Sequence, residues 1–315
     1  MANAPATAAT ARRASIGALA ATTQPRWRRN RDTVAGWVFL TPFLVFYLVF
    51  LIYPVFQGFW ISLHHWELVG TDIRWIGFEN YRRLLGDETF WSSLAHTGYF
   101  VLLTGPVLIF FALVLALLLN RAMRGIGLWR TFLYLPVVFS VSVLTTIWLK
   151  LYDPNYGLLA ALWSALGLEP IHWLQSYELA MPAVAIASIW WSVGTAMVIF
   201  LAGLQDIHPS LYEAARIDGA GRWALFRYIT VPGLRRTFTF VVIIQVIGLM
   251  QVFGQVFNMT RGGPTGTTRT LVMHIYETAF RDWQLGYGSA MSFVLFGILF
   301  VLSLIQLRFF VRSDK

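Results

Sequence analysis

The 315-residue sequence has no cysteine, which excludes disulfides, thiol catalysis and thiolate-bound metal. Charge is scarce: Asp, Glu, Lys and Arg make up 12% of the chain, about half the share usual in soluble domains. Lysine occurs only at Lys150 and Lys315, and neither follows a glycine. A phosphate-binding loop of the GK[ST] type is therefore missing, so if ATP drives this protein, another subunit hydrolyses it. What the composition has in excess is apolar: 57% of residues are hydrophobic and the mean hydropathy is +0.61. The bilayer is the solvent this composition fits.

Six intervals lack charge altogether: 33–66, 89–120, 131–149, 179–205, 237–260 and 283–307. About 20 apolar residues cross the hydrocarbon core as a helix, and backbone groups in lipid must be satisfied within the segment. Each interval supplies one span; the third is short but extends through "WLKLY", where Lys150 reaches the interface. Pro42, Pro54, Pro106, Pro136 and Pro182 lie in or at the ends of the spans, where kinks are expected. The expected architecture is an all-α integral membrane protein of six transmembrane helices, with a permease domain over 33–312.

Basic residues orient it. The N-terminal stretch 1–32 with its six arginines, Arg121, Arg124 and Arg130, the five arginines from Arg216 to Arg236, and Arg308, Arg312 and Lys315 fall on one side. Arg74, Arg82, Arg83, Lys150, Arg261, Arg269 and Arg281 fall on the other. The richer side is cytoplasmic, so both termini are cytoplasmic. The net charge of +9 is thus a topology signal rather than a nucleic-acid signal. Residues 1–32 read as a disordered basic cytoplasmic tail, because "ASIGALAA" is short and is followed by arginines rather than a cleavage site; 313–315 form a short C-terminal tail.

No Asp, Glu, Lys or Arg lies deep in any span. Ion-coupled carriers usually need such groups as relays or counter-ions, which weighs against the alternative reading, a self-sufficient carrier or channel working as a homo-oligomer. An intramembrane enzyme lacks support as well: there is no HExxH pair and no acid–base set in the spans. No catalytic residue, metal or cofactor is expected on this chain.

The polar loop between spans four and five reads "QDIHPSLYEAARIDGAGRWALFRYITVPGLRRT". Ser210 followed by Glu213 predicts a capping box opening a helix over about 211–218, closed by Gly219 or Gly221. Such a helix serves either as an ordinary loop element whose Glu213 caps its own amides, or as a flat, Ala-rich surface seated in a partner's groove.

"EAA", then Gly219 as the seventh residue from that glutamate, then the "ITVP" run, resembles the cytoplasmic motif of binding-protein-dependent ABC importer permeases. "WIGFENYRRLLGDETFWSSLAHTGYF" (75–100), "WRTFLYLPVVFSVSVLTTIWLKLYDPNYGLLAALW" (129–163) and "MTRGGPTGTTRTLVMHIYETAF" (259–280) are similar to successive segments of carbohydrate-importer permeases, of the maltose-type subunit without a large periplasmic insert. The resemblance runs from about residue 35 to 312. It implies a coupling helix docked on a cytoplasmic ATPase, with Glu213, Ala214, Ala215, Asp218 and Gly219 at the motif's core. It also implies a second permease subunit, two ATP-binding subunits and an extracytoplasmic solute-binding protein that delivers a sugar, in a bacterial inner membrane. Ser188, Trp191, Ser192 and Thr195 on span four, with Gln245 and Leu249 on span five, match the family's substrate path; Gln251 joins them on depth and chemistry. The departure from the family pattern is Arg261, where another glycine tends to stand. "TRGGPTGTTRT" reads as a periplasmic turn, and His64-His65 as the outer end of span one, two neighbours pointing apart on a helix.

Overall fold

The computed structural model describes residues 26–70, 72–121 and 124–311, with side chains from 34 to 308 within those ranges. The chain divides into two units, 1–58 and 59–315.

The first unit holds the helix Arg26–Tyr47, a π-helical turn Leu48–Ile52 and the start of the helix Tyr53–Ser62. Its apolar side chains are exposed nearly all round, and Phe43–Tyr47 and Phe46–Phe50 stack one turn apart. A helix apolar on every face has no use for water and suits lipid or another membrane helix. Helix begins at Arg26, so the end of the stretch expected as a disordered tail is helical; the apolar run from 33 nucleates a helix that propagates into "RWRRNRD". Residues 1–25 and 312–315, with the remainder of both expected tails, lie outside the described residues.

The second unit is built on the pair Glu88–Leu119 and Ala180–Asp206, which run in the same direction: their earlier halves share one apolar cluster and their later halves another. Both helices turn small residues inward: Ser93, Thr97, Thr104, Gly105, Ala112 and Ala116 on the first, and Ala183, Ala187, Ser188, Gly194 and Ala196 on the second, are all buried. Lipid tails give no hydrophobic drive for two helices to associate, so close backbone approach and dispersion supply the attraction, and small residues permit it. Gly194 shows how close. A β-carbon there would stand 2.8 Å from the Leu133 carbonyl and 3.0 Å from Tyr134 Cα, the backbone of a third helix, Ile126–Val138.

Among the described residues, four helices are long and apolar enough to cross a membrane: Val34–Ser62, Glu88–Leu119, Ala180–Asp206 and Leu285–Arg308. The count rises to six when two bent pairs are each taken as one span. Here the structure corrects two expectations of single helices. The third interval is two helices, Ile126–Val138 and Val141–Leu151, at 98° to one another. Ser140 caps the second by accepting from the Val143 amide at 3.4 Å, and Pro136 lies one turn before the break. The fifth interval is preceded by Arg222–Gly233 at 59° to Arg235–Met250, and its helix stops at Met250 before a new one, Gly254–Met259.

The first interval also ends early. His64–Trp66 is a strand, not a helix end, paired antiparallel with Ile73–Trp75, so the fold is helical with one small hairpin. Aromatic and β-branched residues (Trp66, Ile73, Trp75) favour the pleat. Asn80 holds the hairpin by donating to the carbonyls of Ser62 (2.8 Å) and His64 (3.1 Å).

Asp87 ties the start of Glu88–Leu119 to the last helix. Its Oδ1 accepts from the amides of Thr89 (2.9 Å) and Phe90 (3.1 Å), and its Oδ2 accepts from the Tyr287 hydroxyl at 2.6 Å. Burial pushes the Asp87 carboxyl up, but Tyr287, the Phe90 amide, His274 and the Thr89 amide outweigh it and hold it below the usual range. His274 Nε2, 3.8 Å from Asp87 Oδ2, is pushed down by burial, with Asp87 opposing and Arg269 adding to the fall. Both shifts act the same way. A depressed histidine contributes stability that is present above about pH 6.5 and lost on acidification; a depressed carboxyl contributes stability lost below about pH 4. The detergent-solubilised protein should therefore melt at a lower temperature at pH 5 than at pH 7.5, and His274→Asn should shrink that difference. An unchanged difference in the variant contradicts the assignment.

Candidate coupling and translocation sites

The helix expected from the EAA segment runs Pro209–Ile217, but its cap is not the expected one. His208 is the N-cap: its Nδ1 accepts from the Ser210 amide at 3.3 Å and lies 2.7 Å from the Ser210 hydroxyl. Proline suits the first helical position because its fixed φ is already helical and its missing N–H is not needed there. Pro209 therefore starts the helix two residues before the predicted start, and Ser210 and Glu213 do not form the expected capping box. The far end behaves as expected. Gly219 has φ +83°, its amide donates to Arg216 O at 3.1 Å, and the Ala220 amide donates to Ala215 O at 2.8 Å. That pair of bonds is a Schellman closure, which glycine completes without strain.

Glu213, Ala214, Asp218 and Gly219 are exposed, and Ala215 is half-buried. Ile217 is 87% exposed, an unusual place for a large apolar side chain on so short a helix. The Tyr212 hydroxyl lies 3.1 Å from Thr230 Oγ1, fixing the helix to the returning segment Arg222–Gly233. Sequence reading missed this anchor, since nothing in the sequence joins residues 212 and 230.

Ser188, Trp191, Ser192 and Thr195 recur at three- and four-residue spacing and so share one face of Ala180–Asp206. Their environments differ. Ser188 is buried and donates to Val184 O at 2.8 Å, so its hydroxyl is already satisfied. The Trp191 indole N–H donates to Phe139 O at 3.2 Å, at the 98° break of the third interval. It thereby satisfies a carbonyl that the break leaves without a helical partner. Ser192 and Thr195 are half-buried, and no hydrogen bond joins either side chain to the described residues. On Arg235–Met250, Gln245 is buried; Leu249 packs in the same apolar cluster as Ala183, Val184 and Ala187, with its Cδ1 against Gly105. Gln251 caps the end of that helix and is exposed. The structure thus brings Leu249 against span four but commits Ser188 and Trp191 to backbone carbonyls.

Residues 88–313 match the family described as "Binding-protein-dependent transport system inner membrane component". The chain belongs to that family. The permease is 34% identical over 294 residues to the lactose transport system permease protein LacF of Rhizobium radiobacter, covering 91% of this chain and 97% of LacF. It is 32% identical over 283 residues to the trehalose/maltose transport system permease protein MalF of Thermococcus litoralis, covering 89% and 95% respectively. Among solved structures, a chain of a bacterial alginate ABC transporter, in complex with an alginate pentasaccharide-bound periplasmic protein, superposes with a TM-score of 0.78 over 92% of this permease and 98% of that chain, at 22% identity. The protein is a multi-span inner-membrane permease of the sugar ABC transporter family.

Proposed function

We propose that this permease forms half of the translocation path of an ATP-driven sugar importer and is driven through Pro209–Ile217 by a separate ATPase. The observation that carries the reading is that helix itself: short, closed at both ends, anchored by Tyr212, with Glu213 and Ala214 exposed and Ile217 projecting. Two ATP-binding subunits, a second permease subunit and an extracytoplasmic solute-binding protein complete the machine. Nucleotide is bound by the ATPase and not by this chain. Each bent pair counts as one crossing, giving six, with both termini and the coupling helix on the arginine-rich cytoplasmic side. The names of LacF and MalF support a sugar as the cargo, and the alginate system supports a partner that delivers it.

In this reading Ser192, Thr195, Gln245 and Gln251 offer hydroxyl and amide partners to sugar hydroxyls, while Trp191, Ser188 and Leu249 set the helix geometry that presents them. Uptake into proteoliposomes holding the extracted complex should require ATP on the side of Pro209–Ile217 and persist with a protonophore. Gln245→Leu should raise KM up to about tenfold, the worth of one neutral hydrogen bond. Uptake that follows an ion gradient without ATP, or a KM unmoved by Gln245→Leu, contradicts the corresponding half of the proposal.

A further inference from the structure

Beyond the end of Arg235–Met250, at the opposite end from the coupling helix, the chain forms an open hollow of about 500 Å³ whose lining includes Arg261, Tyr276, Glu277, Phe280, Arg281 and Trp283. Its apolar wall is continuous. Phe257 and Tyr276 meet edge to face at 5.4 Å, and Tyr276 and Phe280 lie tilted at 5.6 Å. Phe280 and Trp283 keep about half their surface exposed, at 52% and 47%. Exposed rings in a hollow present flat faces of the kind on which the C–H faces of a sugar ring rest.

The polar lining is equally specific. Glu277 is held by Arg269, whose Nε lies 2.9 Å from Oε2, and its side chain is only 12% exposed. Arg281 is further away, 3.8 Å from Glu277 Oε1, with a side chain 76% exposed. Arg261 is exposed and forms no ion pair among the described residues. Since Arg269 already matches the one carboxylate, two guanidinium groups face the cavity in surplus, and a guanidinium binds carboxylate or sulfonate oxygens in a paired, planar fashion.

The backbone confirms that the arrangement is imposed. Arg261 and Trp283, at φ +50° and +62°, are two of the three non-glycine residues with positive φ among the described residues, and both line this cavity. The Trp283 carbonyl is fixed by the amides of Leu68 (2.7 Å) and Leu285 (3.1 Å). Glu277, Phe280 and Arg281 come from one π-helical turn, Glu277–Arg281, a form that clusters at functional sites. Sparsely populated conformations persist only where their surroundings enforce them.

We infer that this cavity is a saccharide-binding subsite on the extracytoplasmic face, suited to a sugar bearing an acidic group, which Arg261 and Arg281 engage while Tyr276, Phe280 and Trp283 pack against its ring. It deepens the sugar-import reading and rests on it for its placement outside the membrane. Phe253 lies against Phe257 and Tyr276 of the lining and follows Gln251, the end of span five, by two residues, so a solute held here stands near the head of the proposed path.

The absence of native cysteine makes the test direct. Asp282→Cys, exposed beside the cavity but outside its lining, introduces a single thiol, and its modification by a maleimide is followed by mass spectrometry in the complex as extracted. Digalacturonate, the acidic probe, at about 10 mM should slow modification about threefold, the factor 1 + [L]/Kd for a site with a Kd of about 5 mM. Cellobiose, neutral and of similar size, should protect less, and Arg261→Glu in the same background should abolish protection by digalacturonate. Rates unchanged by both sugars, or a thiol already inaccessible because a protein partner covers it, overturn the subsite. Equal protection by cellobiose, or protection that survives Arg261→Glu, overturns the acidic preference. The same preparation is assayed for a co-extracted ATPase: its presence without saccharide protection removes this inference alone, whereas its absence removes the import reading whatever the labelling shows.

Discussion

Ala215→Trp should leave a folded, membrane-inserted permease that no longer transports, with uptake and sugar-stimulated ATP hydrolysis reduced about a hundredfold, equivalent to about 2.7 kcal/mol of lost coupling. Ala215 sits half-buried on the EAA face, and its role within the helix is made by its backbone: its carbonyl accepts the Ala220 amide in the Schellman closure. The side chain can therefore change without unwinding the helix. An indole on that face destroys the flat surface a groove requires, and misfit at a packed contact is costly. Assembly with the ATPase is checked by co-purification, and thermal stability should stay within about 0.5 kcal/mol of the parent, as for surface substitutions. Undiminished sugar-stimulated hydrolysis in an assembled Ala215→Trp complex would show that this face does not transmit the stroke.

The second large effect is structural. Gly286→Val should destabilise the permease by about 3 kcal/mol or more, the upper range for overpacking, because a β-carbon at 286 would fall on the His64 carbonyl oxygen and 3.2 Å from the Trp66 amide nitrogen. Both are backbone atoms of the hairpin strand, and that carbonyl also accepts from Asn80. The obstacle is not a flexible side chain that can swing away. The hairpin must move, or the start of Leu285–Val311 must. Gly297 on the same helix has nothing within 4 Å of the equivalent position, so Gly297→Ala serves as the neutral comparison. Melting of Gly286→Val at the temperature of Gly297→Ala would refute the close approach.

How much of this was legible in the sequence follows from the physics of each feature. Charge depletion marked the four helices long and apolar enough to cross a membrane, because the cost of a charge in lipid leaves a signature at each position of a span. A charge-free run does not say whether it is one helix or two. The 98° break after Val138 depends on Trp191, 52 positions along the chain, satisfying Phe139 O, and no local pattern encodes such a bond. The helix Pro209–Ile217 was readable because its end signals are local, although Pro209 displaced the expected Ser210 cap and brought His208 into that role. His64 and His65 were misread as helical for a related reason. Their strand exists because Ile73–Trp75 returns to pair with it, and an apolar, aromatic stretch is compatible with either form until the partner is known. The cavity around Trp283 was not legible at all. It gathers Arg261 from one loop, Phe280 from the π-helical turn Glu277–Arg281 and Trp283 from the loop after it, and each alone looks like an ordinary interfacial residue. The expected path residues were found as a face, but only the structure separates Ser188 and Trp191, engaged with backbone, from Ser192, Thr195 and Gln245.

The central claim is that this permease works as one subunit of an ATP-driven complex, and the most direct measurement is its extraction from its native membrane in mild detergent with identification of the proteins that accompany it. An ATPase and a second multi-span permease in fixed proportion to this chain are the predicted result, with the ATPase lost when Ala215→Trp is combined with Glu213→Arg. A chain that emerges alone, or only with copies of itself, under conditions that preserve such complexes, would contradict the account.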